Sequence, residues 1–179
     1  MYILTQHKIF KNPESIIDFH WFKCASNNHN HDYFELLVIF DGNFTHQYKG
    51  KTINLSKGDM VLITPSFYHN LQTPQESSNH ANFSISTNGF SNLTKCFSEN
   101  CYDSLIKLSG TPYKLTRYEL EYLNYMLNNV YSSQYDSRDS SDYYYISIFH
   151  WLLGIMYSQS CQNNALHESY PKWLEERDI

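Results

Sequence analysis

The amino-acid sequence predicts a mainly β fold with α: a sandwich or barrel of short strands over residues 1–90, followed by two antiparallel helices within residues 91–162. Three observations lead to this fold class. In the first half, short runs rich in aromatic and β-branched residues alternate with turn residues, which is typical of an all-β unit. In the second half, apolar residues recur every three or four positions, which is the spacing of amphipathic helices. Aromatic residues make up 17% of the 179 residues, so the chain can bury a core.

Six runs of the first half predict strands, with turn residues between them. Asp41-Gly42 is typical of a tight hairpin, and Lys49-Gly50 and Ser56-Lys57-Gly58 predict two further turns. Strands at this spacing favour a sandwich or a barrel. The predicted strands are Asp18–Cys24, Tyr33–Phe40, Phe44–Tyr48, Lys51–Leu55, Asp59–Thr64 and His80–Ser86.

The second half predicts one short helix over Phe90–Ser98 and two long ones. Thr116 and Glu119 form a capping box, which opens a helix to about Ser133. The next helix runs from about Asp142 to about Ser160 and is apolar on two faces, so both faces must be covered. One face carries Tyr145, Phe149, Leu152 and Met156, and the other carries Ile146, His150, Leu153 and Tyr157.

These helices are predicted to form a dimerisation segment packed on the β half. We expect the second of the two faces to meet a second copy of the chain, with the preceding helix beside it. Asn163–Ser169 predicts a linker, and Pro171 stands where a further helix would begin. The expected dimer interface consists of Ile146, His150, Leu153 and Tyr157.

Composition excludes several classes of protein. The chain has 13 basic and 18 acidic residues, a formal net charge of −5, so its own field is unfavourable for nucleic acid. No apolar run approaches the roughly 18 residues of a membrane span, and the N-terminus lacks the apolar core of a signal peptide. A cytoplasmic protein is therefore expected. Its four cysteines form no C-x-x-C pair, which favours reduced thiols.

Four side chains, named here the quartet, carry the strongest chemical signal: His29, His31, Glu35 and His69. On a continuous strand, the first three would share one face, and His69 follows the turn after a later strand. Imidazoles and carboxylates are ligands for Zn, Ni, Fe or Mn. The same groups can also form a hydrogen-bonded polar pocket without a metal, and the sequence leaves both alternatives open.

The spacing around the quartet resembles the two sequence motifs of the cupins. Gly42 follows Glu35 after six residues, and Gly58 opens the block GDMVLITPSFYHN, which contains His69. Thr64 and Ser66 stand where the motif has proline and glycine, and the glycine before the first histidine is missing. The resemblance implies a double-stranded β-helix, or jelly-roll barrel, with a turn of altered shape before His69.

The chain more narrowly resembles the N-terminal effector-binding and dimerisation domain of AraC-family transcription regulators, and within them regulators of the chitobiose-operon type. The likeness rests on HNHDYFEL at 29–36, the GDMVLI block, the two helices, and SYPKWL at 169–174. It implies a homodimer that binds a small effector, often a sugar, inside the barrel. DNA would be contacted only through a C-terminal domain that is not in this chain, and residues 1–10 would close over the pocket as a lid.

This resemblance favours a sensor rather than an enzyme. The alternative is a stand-alone metal-dependent cupin enzyme, a dioxygenase or sugar isomerase, that uses the quartet as its metal site. A structural cupin with an inactive pocket is a third reading. The two long helices favour the regulator, because a small cupin enzyme has little need of them.

Ligand-binding candidates extend beyond the quartet. Side chains on alternate positions of the strand at 80–86 are expected to face the pocket rather than solvent, and Tyr33 lies beside the quartet. Phe44, His46 and Tyr48 share one face of their strand, which either offers an aromatic platform to a ligand or packs inside the barrel. Trp21 belongs either to the core or to the pocket. The predicted ligand-binding residues are His29, His31, Tyr33, Glu35, His46, His69, His80 and Asn82.

Overall fold

The computed structural model describes residues 2–10, 15–23, 25–74, 78–133 and 138–168. Within these ranges the chain forms ten strands and five helices. The strands are β1 (Tyr2–Leu4), β2 (Ile17–Phe22), β3 (Ser26–His31), β4 (Phe34–Asp41), β5 (Asn43–Tyr48), β6 (Lys51–Ser56), β7 (Asp59–Ile63), β8 (His69–Gln72), β9 (Asn79–Ile85) and β10 (Tyr113–Lys114). The helices are α1 (Gln6–Ile9), α2 (Thr87–Lys95), α3 (Cys101–Lys107), α4 (Arg117–Ser133) and α5 (Arg138–Glu168).

The strands form two five-stranded sheets. Sheet A has the order β1-β3-β8-β5-β6, and sheet B has the order β10-β7-β4-β9-β2. All pairings are antiparallel except that of β1 with β3. This arrangement, with helices after the barrel, confirms the predicted mainly β fold with α and its cupin-type jelly roll.

The two faces of sheet B are buried against different partners. Its inner face packs on sheet A through an apolar cluster contributed by both sheets. Its outer face packs on the helices: Phe19 stacks on Tyr145 of α5 with 5.2 Å between ring centroids, and Phe83 lies 6.0 Å from Phe149. Alternation along a strand sends successive residues to opposite faces, so β4 is apolar at nearly every position. The inner cluster consists of Leu37, Ile39, Phe44, Tyr48, Leu55, Val61, Ile63 and Leu71.

Helix α4 starts as predicted. The Thr116 amide donates to the Glu119 carboxylate at 2.7 Å, and the Glu119 amide donates to the Thr116 hydroxyl at 3.2 Å. The amide of Gln159 on α5 bonds both backbone groups of Lys114, while Tyr122 of α4 meets Trp151 of α5. The contact further along the chain in α4, at Tyr122, is thus made with an earlier residue of α5, Trp151. The two helices are therefore antiparallel, as predicted.

The helical part also differs from the prediction. Helix α5 spans Arg138–Glu168, longer at both ends, so residues 163–168 are helix where a linker was predicted. Asparagine in a helix costs only tenths of a kcal/mol relative to alanine, so the polar residues at 162–164 did not end it. Helix α3 was not predicted because seven residues are too few to show a helical period. Residues 169–174 and Pro171 lie outside the described part of the chain.

The predicted dimer stripe packs largely against the chain itself, and its assignment as an interface stays a prediction. Leu153 is completely buried, and the ring of His150 lies 4.5 Å from that of Phe97. The Tyr157 hydroxyl bonds that of Ser98 at 2.7 Å, and Ile146 packs against the core. The end of the predicted short helix, at Phe97 and Ser98, thus lies against this face. Among the described residues, no helix combines the length and apolar character needed to span a membrane.

Two of the glycines at positive φ, Gly50 and Gly110, provide a matched stability test. A Cβ on Gly110 (φ +81°) would lie 2.4 Å from Cδ1 of Tyr48, whereas one on Gly50 (φ +73°) would meet no atom within 4 Å. Gly50→Ala should cost about 1–2 kcal/mol for the backbone conformation alone. Gly110→Ala should cost about 1–3 kcal/mol more through overpacking. Urea unfolding of both variants measures this difference, and equal losses would contradict the close Gly110–Tyr48 contact.

Candidate ligand-binding site

A cavity of about 490 Å³ lies at one end of the barrel, within the range of small-molecule sites. Its wall is built by the inner face of sheet B, by the start of β3, and by the N-terminal segment. The lining residues are Leu4, Ile9, His20, Phe22, Ala25, Ser26, Asn27, Asn28, His29, Tyr33, Glu35, His80, Asn82 and Ser84.

The quartet lies at this cavity, with His29 and Glu35 in its wall. The strands that carry the four side chains differ from the predicted ones. His29 and His31 lie on β3 in sheet A, whereas Glu35 lies on β4 in sheet B, so they do not share one strand. The chain bends at residues 32–33 and passes from one sheet to the other. His69, at the start of β8, pairs directly with His29. The sheets facing each other, rather than strand alternation, bring these groups together.

The distances within the quartet are short. Nε2 of His31 lies 3.2 Å from Nε2 of His69 and 3.9 Å from Oε2 of Glu35. Ligand atoms of His29, Glu35 and His69 all lie within 4.8 Å of one another. Two metal–nitrogen bonds of about 2.1 Å place their nitrogens a little over 3 Å apart, so the side chains fit a transition metal. The 3.2 Å distance between His31 and His69 also suits a direct hydrogen bond, whereas 3.9 Å is too long for one.

Hydrogen bonding fixes the imidazole tautomers in the metal-free arrangement. Nδ1 of His31 lies 2.6 Å from the Tyr33 carbonyl and must donate to it, since a carbonyl only accepts. Nε2 of the neutral His31 ring is then an acceptor, so Nε2 of His69 donates to it. Nδ1 of His69 in turn accepts from Nε2 of His46 at 3.4 Å. Nδ1 of His46 then carries no hydrogen, and it is buried without a hydrogen-bond partner among the described residues.

Burial keeps the groups around the cavity uncharged. It raises the pKa of Glu35 to about 8 and lowers the pKa of His31 to about 4, and that of His69 to about 2. The pKa of Tyr33 is raised by burial and by the nearby Glu35 carboxyl. In each case burial is the largest cause, because removing a charge from water is costly. The site therefore presents mostly neutral donors and acceptors near pH 7.

Strand β9 supplies polar groups to the opposite wall. His80 and Asn82 line the cavity, as alternation predicted. Nδ1 of His80 and Oδ1 of Asn82 are excluded from solvent and have no hydrogen-bond partner among the described residues. Leaving such an atom unpaired costs about 1–3 kcal/mol, which a polar ligand would recover. Ser84 bonds the Tyr33 side chain.

Several candidates do not line the cavity. His46 is completely buried and stacks on Tyr48 with 5.8 Å between centroids. Phe44 and Tyr48 belong to the core between the sheets. Their position supports ordinary barrel packing rather than an aromatic platform for a ligand. Trp21 faces the helical side and contacts Phe40, so it belongs to the core. His31 and His69 reach the cavity only through the other quartet members.

The sequence analysis missed two lining residues that it could have found. His20 and Phe22 alternate along β2 with Phe19 and Trp21, which face the helices. Because successive residues of a strand point to opposite faces, assigning Phe19 and Trp21 to the core places His20 and Phe22 inside the barrel. Asn27 and Asn28 gave no such signal, because the pairing of β3 with β8 shifts register between Ser26 and His29.

Comparison with known proteins identifies the N-terminal region. A family model described as the AraC-like ligand binding domain matches residues 18–89, so this region contains an AraC-like ligand-binding domain with a cupin fold. The region includes β2 to β9 and most of the cavity wall. No curated protein sequence matches the chain significantly.

One solved structure shows the same fold at low identity, and two others match a smaller part of the chain. Apo ToxT from Vibrio cholerae is 12% identical, with a TM-score of 0.59 over 82% of this chain and 58% of that one. Oxalate decarboxylase from Bacillus subtilis is 15% identical, with a TM-score of 0.35 over 41% of this chain and 22% of that one. A cupin-2 domain containing protein from Shewanella frigidimarina is 16% identical, with a TM-score of 0.34 over 38% and 68%. The chain thus spans little more than half of ToxT, and the likeness shows the fold alone.

Glu35 should make the metal-free protein less stable as the pH rises. Between pH 6.5 and 8 the folded state retains a proton on Glu35 that the unfolded state has lost, which lowers the free energy of unfolding by about 2 kcal/mol across this window. The buried histidines act in the opposite direction, because they are neutral in the folded state while the unfolded chain still releases histidine protons above pH 6.5. Urea unfolding of chelator-treated wild type and Glu35→Gln therefore isolates Glu35: the wild type should lose about 2 kcal/mol relative to the variant between pH 6.5 and 8. Parallel pH profiles of the two proteins would show that Glu35 does not titrate in this window.

Proposed function

We propose that this chain is the effector-sensing part of an AraC-like transcription regulator and that it binds a small polar molecule, a sugar, in the barrel cavity. The unpartnered buried atoms of His80 and Asn82 carry this proposal, because they face a cavity of ligand size within the region that matches a ligand-binding family. A sugar offers several hydroxyl groups, each able to donate and accept. The likeness to chitobiose-operon regulators stays a prediction, as does a cytoplasmic location.

The N-terminal segment supports the lid predicted for residues 1–10. Strand β1 pairs with β3, the strand that carries two quartet histidines. Leu4 and Ile9 contribute to the cavity wall, and Phe10 packs edge-on against Tyr33 at 5.8 Å. A ligand in the cavity would therefore contact the segment and stabilise it in place.

Strand β2 offers a route from the ligand to the C-terminal helix. His20 and Phe22 face the cavity, whereas Phe19, on the opposite face, stacks on Tyr145 of α5. Strand β2 is an edge strand paired only with β9 in sheet B, so it can shift at lower cost than a central strand. A ligand that favours one position of β2 would favour one position of α5 by population shift. In the proposed regulator, α5 leads toward a DNA-binding domain outside this chain.

The effector role predicts that small molecules from a cell extract will stabilise the protein through the cavity. The fraction below about 1 kDa should raise the melting temperature of the wild-type chain, since a ligand that binds only the folded state stabilises it. Asn82→Leu keeps the side-chain size but removes the polar group from the cavity, and it should abolish the shift. Thermal unfolding with native mass spectrometry measures both effects.

Asn54→Leu is the matched control, because Asn54 lies on β6 outside the cavity wall and its exposed side chain accepts a hydrogen bond from that of Thr45. This variant should retain the stabilisation. Equal responses of the two variants, or no response of the wild-type chain, would contradict an effector site in the cavity.

The metal-dependent enzyme stays the second candidate, because the quartet fits a metal. His29, Glu35 and His69, with His31 beside them, would hold the ion, which would act as a Lewis acid toward a ligand in the cavity. A metal requires Glu35 as a carboxylate. The comparison of wild type with Glu35→Gln described above, repeated with Zn²⁺, would then show no loss of stability in the wild type relative to the variant between pH 6.5 and 8.

Dimerisation remains a proposal, and the structure favours a different surface for it. Helix α4 exposes three tyrosines on one face, which we name the tyrosine stripe: Tyr118, Tyr122 and Tyr125. They are 82%, 54% and 64% exposed, and tyrosine is enriched at protein interfaces. A second copy related by a twofold axis would place the same stripe opposite, with the central Tyr122 nearest the axis.

Charge on the tyrosine stripe should therefore separate the subunits. Tyr122→Glu should convert a dimer into a monomer, since two buried carboxylates would face each other near the axis. Tyr143→Glu is the control, because Tyr143 is 73% exposed but lies on α5. Sedimentation velocity measures the mass of each variant. A wild-type monomer, or a dimer that survives Tyr122→Glu, would refute this surface.

A further inference from the structure

The described residues of the cavity wall include no lysine or arginine, and Glu35 is the one carboxyl group among them. The basic residues next to the lining in sequence, Lys8 and Lys23, have exposed side chains. Burial lowers the pKa of His80, the histidine beside Asn82, to about 4, so this imidazole does not readily become a cation. An anionic ligand would therefore lose its hydration without meeting a lysine or arginine as counter-charge.

An aromatic pair lies at the mouth of the same cavity. Phe22, the last residue of β2, pairs in register with His80 of β9, and their rings stack 5.3 Å apart at 18°. Phe44 meets the His80 ring from the edge, at 5.2 Å and 81°, which fixes the position of the imidazole. Phe22 lines the cavity yet is 36% exposed, so an apolar ring is held at the opening with part of its surface in water.

We propose that Phe22, positioned by His80, is the specificity-determining platform of this cavity, and that the cavity selects uncharged ring-shaped ligands over anionic ligands of the same size. This inference rests on the proposed effector role. A pyranose can lay its apolar C–H face on the Phe22 ring while its hydroxyls reach Nδ1 of His80 and Oδ1 of Asn82. A phosphate or carboxylate group on the same ring would have to enter a wall in which no described residue is lysine or arginine.

The test uses two sugar panels of matched size and the chain with its N-terminal segment intact. The uncharged panel is glucose, N-acetylglucosamine, cellobiose and diacetylchitobiose, and the anionic panel is glucose 6-phosphate, N-acetylglucosamine 6-phosphate and glucuronate. Calorimetric titration should detect binding in the uncharged panel. The anionic counterpart of the best ligand should bind at least about tenfold more weakly.

Three variants separate the platform from general effects on folding. Phe22→Ala should weaken binding of the best uncharged sugar about tenfold, and Phe22→Leu, which stays apolar but loses the ring, should weaken it nearly as much. Phe67→Ala is the control, because Phe67 is 44% exposed and lies outside the cavity wall. It should bind as the wild type does.

Distinct outcomes overturn the inference and the proposed function. Tighter binding of an anionic sugar, or unchanged binding by Phe22→Ala, overturns the inference, and the proposed effector site survives if Asn82→Leu still abolishes that binding. Binding by no sugar of either panel overturns the inferred ligand class. If the small-molecule fraction of the extract also fails to stabilise the wild-type chain, the proposed function fails with it.

Discussion

Burial of β4 on both faces is the constraint on which the rest of the structure depends. Leu36 and Val38 face the helices, whereas Leu37 and Ile39 face sheet A. A strand of this kind is stable only between two covering layers. The helices must therefore cover sheet B. A movement of α5 would change its packing on the sheet that forms the cavity wall.

The same constraint explains the chemistry of the cavity. Glu35 lies near the start of β4 and points to the inner face, where its side chain is almost completely excluded from water. A carboxyl group buried without a cation is held as the neutral acid. Such a group can donate as well as accept a hydrogen bond, as can the neutral histidines near it. The site is therefore suited to hydroxyl-bearing ligands or to a metal, and poorly suited to anions.

Sequence patterns predicted those features that depend on local geometry. The turn at Gly42, the capping box of α4 and the inward direction of His80 each follow from a short stretch of chain, and the structure shows all three. Features that depend on distant packing were missed. The interface stripe with Leu153 had the correct helical period, but the period shows only that a face is apolar and not which layer covers it.

The quartet illustrates the same limit in a different way. Strand alternation predicted that His29, His31 and Glu35 would meet, and they do, but across two sheets rather than along one strand. The bend at 32–33 was not recognised, although aspartate is unfavourable in strands and the predicted strand begins only at Tyr33. Similarly, the side chains of 27–28 enter the cavity wall only because the register with β8 is irregular, a property of the pairing that one strand's sequence does not contain.

His69 decides which of two arrangements the quartet adopts. In the hydrogen-bonded form, its Nε2 donates to His31 and its Nδ1 accepts from His46. A metal would require a lone pair on Nε2, so the proton would have to reside on Nδ1, and His46 would have to become the acceptor. A metal on this nitrogen would therefore break the hydrogen bond between His69 and His31 and reverse the one between His69 and His46. Since either form leaves the cavity face of β9 unchanged, the polar atoms of His80 and Asn82 are available to a ligand whether or not the quartet holds a metal.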